Sequence, residues 1–325
     1  MGLLGHLVTQ WHLHCSGETE KVFPECRSRI ITVLLGLYLS DLPSNLVSVD
    51  GWEEQLRHPI ELLSIYQAWG SQYRNFYARE LGDIHKSRRT ALITWEPWEL
   101  PVPGKSSSDQ PCFTLKRIIA GDYDPYIRHW AEASKSLRIP YHLRPMHEMN
   151  GNWYPWCGTV NQNQPEEYVE AWRHLHDIFL EVGATQVSWL WCPYAASYPN
   201  SPKNAISCYY PGDAYVDWIG LDGYNWGTSQ PWSRWQSFHE IFSPAYDIVT
   251  DLTDKPLLIA ESASTESGGN KSEWIRSAFG ELKDSFPRIV GFVWFNVKKE
   301  CDWRIDSSVQ ALQAFRESVQ DWPGP

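Results

Sequence analysis

The stretch Ile139-Pro-Tyr-His-Leu-Arg-Pro-Met-His-Glu-Met-Asn-Gly-Asn-Trp-Tyr-Pro-Trp156 decides how the chain folds and where its chemistry lies. Its first part predicts a short buried strand, and the Asn, Gly and Pro residues that follow end regular structure. Glu148 therefore lies at the carboxyl end of a strand, beside His147. An unpaired buried carboxylate is costly, whereas a partly dry pocket keeps a carboxyl group protonated for catalysis. The alternative is a structural acid that forms a salt bridge with Arg144.

Eight apolar runs predict eight strands, at 31–39, 61–66, 90–95, 140–146, 186–192, 216–222, 256–260 and 289–295. Apolar spacings of three and four predict helices at 125–137, 165–182, 235–252, 272–285 and 308–319. Asp124 is expected to cap the first of these, and Gly183 to end the second. This alternation predicts an α/β fold, a (β/α)8 barrel in a single domain over residues 29–325. An open doubly wound sheet is the second choice, but no glycine-rich phosphate loop follows the first strand.

A barrel of this kind places its active site where strands end and the following loops begin. Aromatic and acidic residues occupy nearly all of these positions, which packing alone does not predict. The residues are Tyr66, Trp69, Trp95, Glu96, His147, Glu148, Trp191, Asp222, Tyr224, Trp226, Glu261, Trp294 and Asn296.

Two acids among these residues have the positions that glycosidic cleavage requires. Glu148 ends the fourth strand and Glu261 ends the seventh, so they face each other across a barrel. One carboxyl group donates a proton to the leaving oxygen while the other attacks the sugar or activates water. Glu261 could instead cap a helix, since Ser-Ala-Ser follows it. Glu96 and Asp222 compete for these roles, but binding sugar hydroxyls or orienting neighbours suits them better.

The composition favours a neutral partner that is rich in rings. A net charge of −11 argues against nucleic acid and against an anionic membrane surface. No apolar run is long enough to span a bilayer. The chain has 19 Trp residues, and flat aromatic rings stack on the apolar faces of sugars. Many of them fill a core, but Trp153, Trp156, Trp226, Trp232 and Trp235 lie in loop-like contexts.

The spacing of the cysteines and histidines does not indicate a metal site or a bound cofactor. The seven cysteines are scattered, without zinc-site spacing. His174 and His176 face different sides of a helix, and His142 is expected to be a satisfied core histidine. We therefore expect no metal and no cofactor. Cys15 and Cys26 could form a disulfide, but the sequence assigns no pairs.

The first 28 residues are expected to lie outside the barrel. Their short apolar run at 2–8 has neither a basic start nor a clear cleavage site. This segment is interpreted as the remnant of a leader, an appended non-native stretch or a flexible arm. Polymeric substrates lie outside cells, which favours a secreted protein even though a clear signal peptide is missing.

Several long motifs resemble those of glycoside hydrolase family 26, a family of retaining β-glycanases on a (β/α)8 barrel. The resemblance runs from about residue 35 to residue 319. It is carried by the stretches at 93–98, 144–156, 210–213, 216–227, 259–264 and 293–308.

The resemblance implies roles for individual residues. Glu148 would be the acid/base and Glu261 the nucleophile, with His147 as the preceding histidine typical of the family. Trp153 would line the cleavage subsite, Tyr224 would bond the nucleophile, and Trp294 would be the stacking platform under the reacting sugar. We expect further substrate contacts from Trp95, Trp226, Asp222, Asn225 and Arg144.

The resemblance leaves the substrate open among the family's β-glycans. The motifs around Trp153, Trp226 and Trp235 look most like those of mixed-linkage β-1,3-1,4-glucanases. β-1,4-Mannanase and β-1,3-xylanase activity are alternatives that use the same two glutamates. A different class of function is a carbohydrate-binding barrel without catalysis, and a metal-dependent hydrolase is a weaker option. We expect a monomer whose partner is a polysaccharide.

Overall fold

The computed structural model describes residues 33–70, 75–100 and 106–321. Eight strands in this part of the chain form one closed barrel of parallel strands in chain order, with the last strand paired to the first. They are β1 Leu34–Tyr38, β2 Leu62–Ala68, β3 Thr90–Glu96, β4 Tyr141–Pro145, β5 Val187–Trp191, β6 Trp218–Asn225, β7 Leu257–Ser264 and β8 Ile289–Phe295. The predicted (β/α)8 barrel is confirmed, and the open doubly wound sheet is wrong. The interpretation of residues 1–28 lies outside the described residues.

Eight helices of the described residues surround the strands. They are α1 Val47–Leu56, α2 Ala78–Lys86, α3 Leu115–Ile119, α4 Asp124–Leu137, α5 Pro165–Val182, α6 Phe238–Leu252, α7 Lys271–Asp284 and α8 Val309–Gln320. The first three were not among the predicted helices, and all three are short, with ten, nine and five residues. None of the described helices is both long enough and apolar enough to cross a bilayer.

Capping residues explain where the predicted helices begin and end. Gly183 ends α5 with a left-handed φ of 83°, as expected. Helix α6 begins at Phe238 and not at residue 235, because Ser237 and Glu240 form a capping box there. The capping role predicted for Asp124 is wrong. It is the first residue of α4, and its carboxylate lies 2.6 Å from Nε2 of His174.

The core has two layers, which decide which strand residues can reach a substrate. A small cluster fills the inside of the barrel, formed by Leu62, Leu92, Leu190, Cys192, Leu258, Ala260 and Val293. A larger layer joins the outer face of the strands to the helices. Side chains alternate between these layers along each strand. Only inward-facing side chains near the carboxyl ends of the strands open onto the mouth of the barrel.

Candidate active site

Glu148 is held at the barrel mouth by the turn that follows β4. Met146 and Glu148 have φ values of 49° and 54°, a left-handed conformation that non-glycine residues adopt rarely and mostly at functional sites. The backbone N–H of Glu148 donates to the carbonyl of Cys192 at 2.8 Å. Its carboxylate Oε2 accepts a hydrogen bond of 2.6 Å from Nε1 of Trp153. The side chain is therefore fixed in direction, and the residue is only 6% exposed.

Glu261 reaches the barrel interior because β7 contains a bulge. Leu221 pairs with Ile259 while the next residue of β6, Asp222, pairs with Glu261. Strand β7 thus has one extra residue at this point, and the bulge shifts the alternation of its side chains. Ala260 lies in the inner cluster, so regular alternation would point Glu261 toward the helices. The bulge turns its carboxylate toward the mouth instead.

Three donors hold the carboxylate of Glu261. The hydroxyl of Tyr224 donates to Oε2 at 2.6 Å. The hydroxyl of Tyr66 and the guanidinium of Arg144 both donate to Oε1. Charge-assisted hydrogen bonds of this kind favour the ionised form and fix the orientation of the group.

Arg144 links the two buried acids Asp222 and Glu261. Its Nη1 lies 2.9 Å from both carboxylate oxygens of Asp222, and its Nε donates to Oγ1 of Thr94 at 3.0 Å. Arg144 and Asp222 are both fully buried. The alternative in which Glu148 pairs with Arg144 is wrong, because the guanidinium binds the other two acids.

Burial acts on both glutamates, but their neighbours push the two pKa values apart. Burial and the nearby charge of Glu261 raise the pKa of Glu148 to about 8. Burial alone would also raise the pKa of Glu261. The positive charge of Arg144 and the hydrogen bonds from Tyr224 and Tyr66 outweigh it and hold that pKa below its usual value. Near neutral pH Glu148 is therefore largely protonated while Glu261 is ionised, which is the pattern of an acid and a nucleophile in one site.

His147 and Glu96 are buried near this pair, and both side chains are largely uncharged near neutral pH. Burial and the charge of Arg144 lower the pKa of His147 to about 3, so its imidazole is neutral. Its ring packs on Tyr154 with centroids 4.8 Å apart. Glu96 is 3% exposed, and burial together with the charge of Glu261 raises its pKa to about 8.

One group of these residues brings potential metal ligands together. Ligand atoms of His147, Glu148 and Asp222 lie within 4.8 Å of one another. Both carboxylate oxygens of Asp222 are already bound to Arg144. A cation here would meet that fixed positive charge, so the donor set does not suit a metal.

Some residues predicted to contact substrate lie elsewhere. Trp95 and Trp294 are fully buried in the outer layer, where Trp95 stacks on Trp130 of α4 at 4.8 Å and Trp294 meets Phe315 of α8 at 5.2 Å. The prediction that Trp294 is the platform under the reacting sugar is therefore wrong. Trp69 and Trp191, two further strand-end rings, are also fully buried.

Three predicted polar contacts are occupied inside the protein. The amide of Asn225 donates to Oγ of Ser264 at 2.9 Å and accepts from two backbone N–H groups. Asp222 and Arg144 bind each other. All three side chains are fully buried, so their assignment as substrate contacts is wrong, and they support the site from within the protein.

His142 is buried as predicted, but its Nδ1 has no hydrogen-bond partner among the described residues.

The remaining predicted residues gather at the mouth. Trp153, Tyr224 and Trp226 are partly exposed there. Tyr194 and Phe295, for which the sequence predicted no role, also border the mouth. Phe295 stacks on Tyr38 at 4.5 Å and follows Trp294, so strand alternation could have revealed it. Tyr194 lies in a loop after β5, where no periodic signal exists.

An eight-stranded parallel barrel with a protonated and an ionised carboxyl group at its mouth, among aromatic rings, defines the class of barrel glycoside hydrolases. The family model described as "Glycosyl hydrolase family 26" matches residues 106–287. The chain belongs to that family. This confirms the resemblance found in the sequence.

The relatives to which the chain is similar carry names that refer to different polysaccharide substrates. The chain is 36% identical to "Endoglucanase H" of Acetivibrio thermocellus over 88% of this chain and 30% of that protein. It is 28% identical to "Mannan endo-1,4-beta-mannosidase A and B" of Caldalkalibacillus mannanilyticus over 54% of this chain and 31% of that one. It is 23% identical to "Beta-1,3-xylanase" of Alcaligenes sp over 71% and 51%. The chain thus spans between about a third and a half of the length of these relatives.

Solved structures share the fold at low identity. The Bacillus subtilis mannanase man26 superposes with a TM-score of 0.62 at 18% identity, over 90% of this chain and 86% of that one. The catalytic domain of the Bacillus sp. JAMB-750 endo-beta-1,4-mannanase gives a TM-score of 0.66 at 17% identity, over 90% and 87%. At these identities the likeness supports the barrel alone.

Proposed function

We propose that this protein is a retaining endo-β-glycanase in which Glu148 is the acid/base and Glu261 the nucleophile. The observation that carries the proposal is the different surroundings of two buried carboxyl groups at one barrel mouth. Glu148 accepts a hydrogen bond from Trp153, whereas Glu261 accepts from Arg144, Tyr224 and Tyr66. Glu148 is largely protonated because it is buried near another negative charge. Glu261 is ionised because Arg144, Tyr224 and Tyr66 all stabilise its charge.

The first half of the reaction uses the two groups together. Oε2 or Oε1 of Glu261 attacks the anomeric carbon, and the bond from that carbon to the leaving oxygen breaks. Glu148 gives its proton to the leaving oxygen, so the released chain end is a neutral hydroxyl. A covalent glycosyl ester on Glu261 remains, and the negative charge passes from Glu261 to Glu148.

The second half reverses these roles. Glu148 is now a carboxylate, and it takes a proton from a water molecule that attacks the anomeric carbon. The ester bond breaks, Glu261 becomes a carboxylate again and Glu148 is reprotonated. The anomeric configuration is inverted twice and so retained. Arg144, Tyr224 and Tyr66 stabilise the returning charge on Glu261, which lowers the barrier to its departure.

The substrate we propose is a plant-type β-glucan, with mixed-linkage β-1,3-1,4-glucan first. The motifs around Trp153, Trp226 and Trp235 support this choice, as does the 36% identity to a relative named as an endoglucanase. β-1,4-Mannan is the second candidate, since relatives named as mannan endo-1,4-beta-mannosidases also match. β-1,3-Xylan is a third on the same ground.

Two substitutions test the catalytic roles. We expect Glu261→Ala to abolish hydrolysis while folding and sugar binding persist. Glu148→Ala is expected to impair polysaccharide hydrolysis far more than cleavage of activated aryl glycosides, because a good leaving group needs little acid assistance. Rates are measured on both substrates, with melting temperatures as the check of folding. Substantial activity in Glu261→Ala, or equal losses on both substrates in Glu148→Ala, would reject the assignment.

A substrate panel tests the specificity. Reducing-sugar release is measured on barley mixed-linkage glucan, glucomannan, galactomannan and β-1,3-xylan, with Glu261→Ala as the blank. We expect barley glucan to be cleaved fastest. Preference for a mannan or for the xylan would replace the proposed substrate and leave the two glutamates in place. Binding without cleavage on all four polymers would favour the carbohydrate-binding barrel.

A further inference from the structure

A row of aromatic rings crosses the loops after β4, β5 and β6, and its two ends are open to solvent. We call it the ring wall, and it consists of Tyr198, Trp153, Tyr194, Trp226 and Trp232. The end residues Trp232 and Tyr198 are 68% and 46% exposed. Within the described part of the chain they are the aromatic members of the set of large exposed apolar side chains.

Each ring of the wall contacts or adjoins the next. The centroid of Trp153 lies 5.9 Å from Tyr198 and 5.3 Å from Tyr194. The indole of Trp226 forms a hydrogen bond with the hydroxyl of Tyr194. Burial raises the pKa of Tyr194, and this hydrogen bond acts against that rise. Trp226 lies 5.2 Å from Trp232. The wall is therefore continuous from one exposed end to the other.

Packing within the protein does not account for the exposed ends. An indole that is 68% exposed leaves most of its apolar surface in water, and exposed apolar surface that continues into a row of further rings is typical of a binding site. The half-buried neighbours restrict how these rings can turn, so their faces are largely preorganised. A flat ring with limited freedom suits the apolar face of a pyranose.

The wall lies beside the acid of the catalytic pair. Trp153, a member of the wall, donates its indole N–H to Oε2 of Glu148 at 2.6 Å. Tyr194 is also close enough for the charge of Glu148 to raise its pKa, after the larger effect of burial. In the proposed reaction Glu148 delivers its proton to the leaving oxygen. The sugar attached to that oxygen must therefore lie next to Glu148, and next to the wall.

We propose that the ring wall binds the leaving half of the polysaccharide, with Tyr198 and Trp232 stacking on sugar units beyond the one next to the cleaved bond. This inference rests on the proposed function, since it uses Glu148 as the proton donor. Rings that hold sugars on the released side select long chains over short ones. They also favour cleavage within a chain over removal of a terminal unit.

The test compares two substrates that differ in their leaving groups. Polymeric mixed-linkage glucan places sugars on both sides of the cleaved bond, whereas a nitrophenyl β-cellobioside has no sugar on the leaving side. Trp232→Ala and Tyr198→Ala are compared with Leu180→Ala, a control at a 62% exposed position on α5. We expect each aromatic variant to lower kcat/KM on the polymer by about threefold to tenfold, the range for one aromatic contact. Activity on the aryl glycoside is expected to match that of Leu180→Ala.

Two results would overturn the inference. Unchanged kcat/KM on the polymer in both aromatic variants would show that the exposed rings bind no sugar. An equal loss on polymer and aryl glycoside would place the rings on the other side of the cleaved bond.

A binding measurement separates this inference from the proposed reaction. Glu261→Gln is titrated with a soluble mixed-linkage oligosaccharide in calorimetry, alone and combined with Trp232→Ala or Tyr198→Ala. We expect each added substitution to weaken binding by about threefold to tenfold. Unchanged binding would refute the role of the rings, whatever the rates show. Weakened binding together with an inactive parent enzyme would support the wall and refute the proposed reaction.

Discussion

Glu148 and Glu261 both lie at the barrel mouth, yet the surroundings of each favour a different charge. Activity by the proposed reaction requires a protonated Glu148 and an ionised Glu261. It should fall on the alkaline side as pH rises through the pKa of Glu148, near 8. On the acid side it should fall only below the usual range of a glutamic acid, because the pKa of Glu261 is lowered. A profile of kcat/KM against pH on the polymer measures both limbs.

Glu96 offers the control for this profile. Its pKa is also raised to about 8 by burial and by the charge of Glu261, so the alkaline limb could in principle belong to it. Glu96→Gln keeps the shape of the side chain and removes its titration. We expect the alkaline limb to persist in that variant. A limb that disappears would assign the titration to Glu96 and contradict the role given to Glu148.

Arg144 is the residue on which the buried charges depend. Arg144→Ala would leave Asp222 and Glu261 without their common partner, and breaking a buried ion pair in this way costs about 3–5 kcal/mol. Urea unfolding at several pH values measures the loss. In the variant the pKa of Glu261 would rise above its unfolded value, and the pKa of Asp222, which burial already raises in the wild type, would rise further. Deprotonation at higher pH therefore destabilises the variant more than the wild type. The deficit relative to the wild type should therefore shrink as pH falls.

An exposed ion pair is the matched control for Arg144. Arg128 binds Glu181 at 2.7 Å, with both side chains well exposed. We expect Arg128→Ala to cost less than about 1 kcal/mol at every pH, because solvent screens such pairs. Similar losses in the two variants would mean that the buried network contributes no more than a surface pair.

Single residues also explain which parts of the site the sequence could predict. Both glutamates were predicted at strand ends, and Glu148 does follow β4. Glu261 lies inside β7 instead, because that strand continues to Ser264. The predictions for Trp95 and Trp294 were wrong because they used only the position of each residue near a strand end. They did not consider whether the side chain points into the barrel or toward the helices. Glu96 and Phe295, one residue further along, are the side chains that face the mouth. Following the two-residue alternation from Leu92 and Val293 of the inner cluster would have corrected both.

At the scale of elements, the bulge in β7 shows where such alternation fails. Counting from Ala260 of the inner cluster, Glu261 should point outward, and only the extra residue brings it inside. Bulges are common beside active sites because they redirect a side chain. No residue type in the β7 sequence Leu-Leu-Ile-Ala-Glu-Ser-Ala-Ser predicts that a bulge forms there. Its position depends on pairing with β6 and β8, which is tertiary information.

The helices show the same division between local and tertiary causes. The ends of α5 were predictable because Pro165 and Gly183 act through their own backbones. The start of α6 at Phe238 required the recognition of Ser237 with Glu240 three residues later. Trp235, counted in the predicted helix, precedes this cap and lies in the loop after β6. The apolar spacing of that loop imitates a helix, but the capping box decides where the helix starts.

For the whole molecule, closure of the barrel connects the first and last elements. Strand β8 pairs with β1, and Arg316 of α8 donates to the carbonyl of Gln55 in α1 at 2.6 Å. The barrel was predictable as a whole because eight apolar runs and the helices between them leave few alternatives. The loops were not, and they contain most of the rings at the mouth.

Closure predicts that damage at the last helix weakens the entire barrel. Phe315 of α8 is fully buried between Trp294 and Phe279, at 5.2 and 5.3 Å. Phe315→Ala removes a large core side chain and should cost about 3–5 kcal/mol. Val309→Ala, at a 79% exposed position of the same helix, is the control and should cost little. Urea unfolding is followed by circular dichroism, tryptophan fluorescence and residual hydrolysis.

The three signals should change together in both variants. The two proposed catalytic glutamates, one in the turn after β4 and one in β7, are far from α8 in the sequence. All eight strands nevertheless hydrogen-bond in one closed sheet. Loss of α8 packing therefore lowers the stability of β4 and β7 along with β8, and the transition moves to lower urea without splitting. If hydrolysis survived beyond the fluorescence transition, or were lost well before it, the site would unfold apart from the barrel. In that case the contact of α8 with β8 would stabilise only its own edge of the molecule.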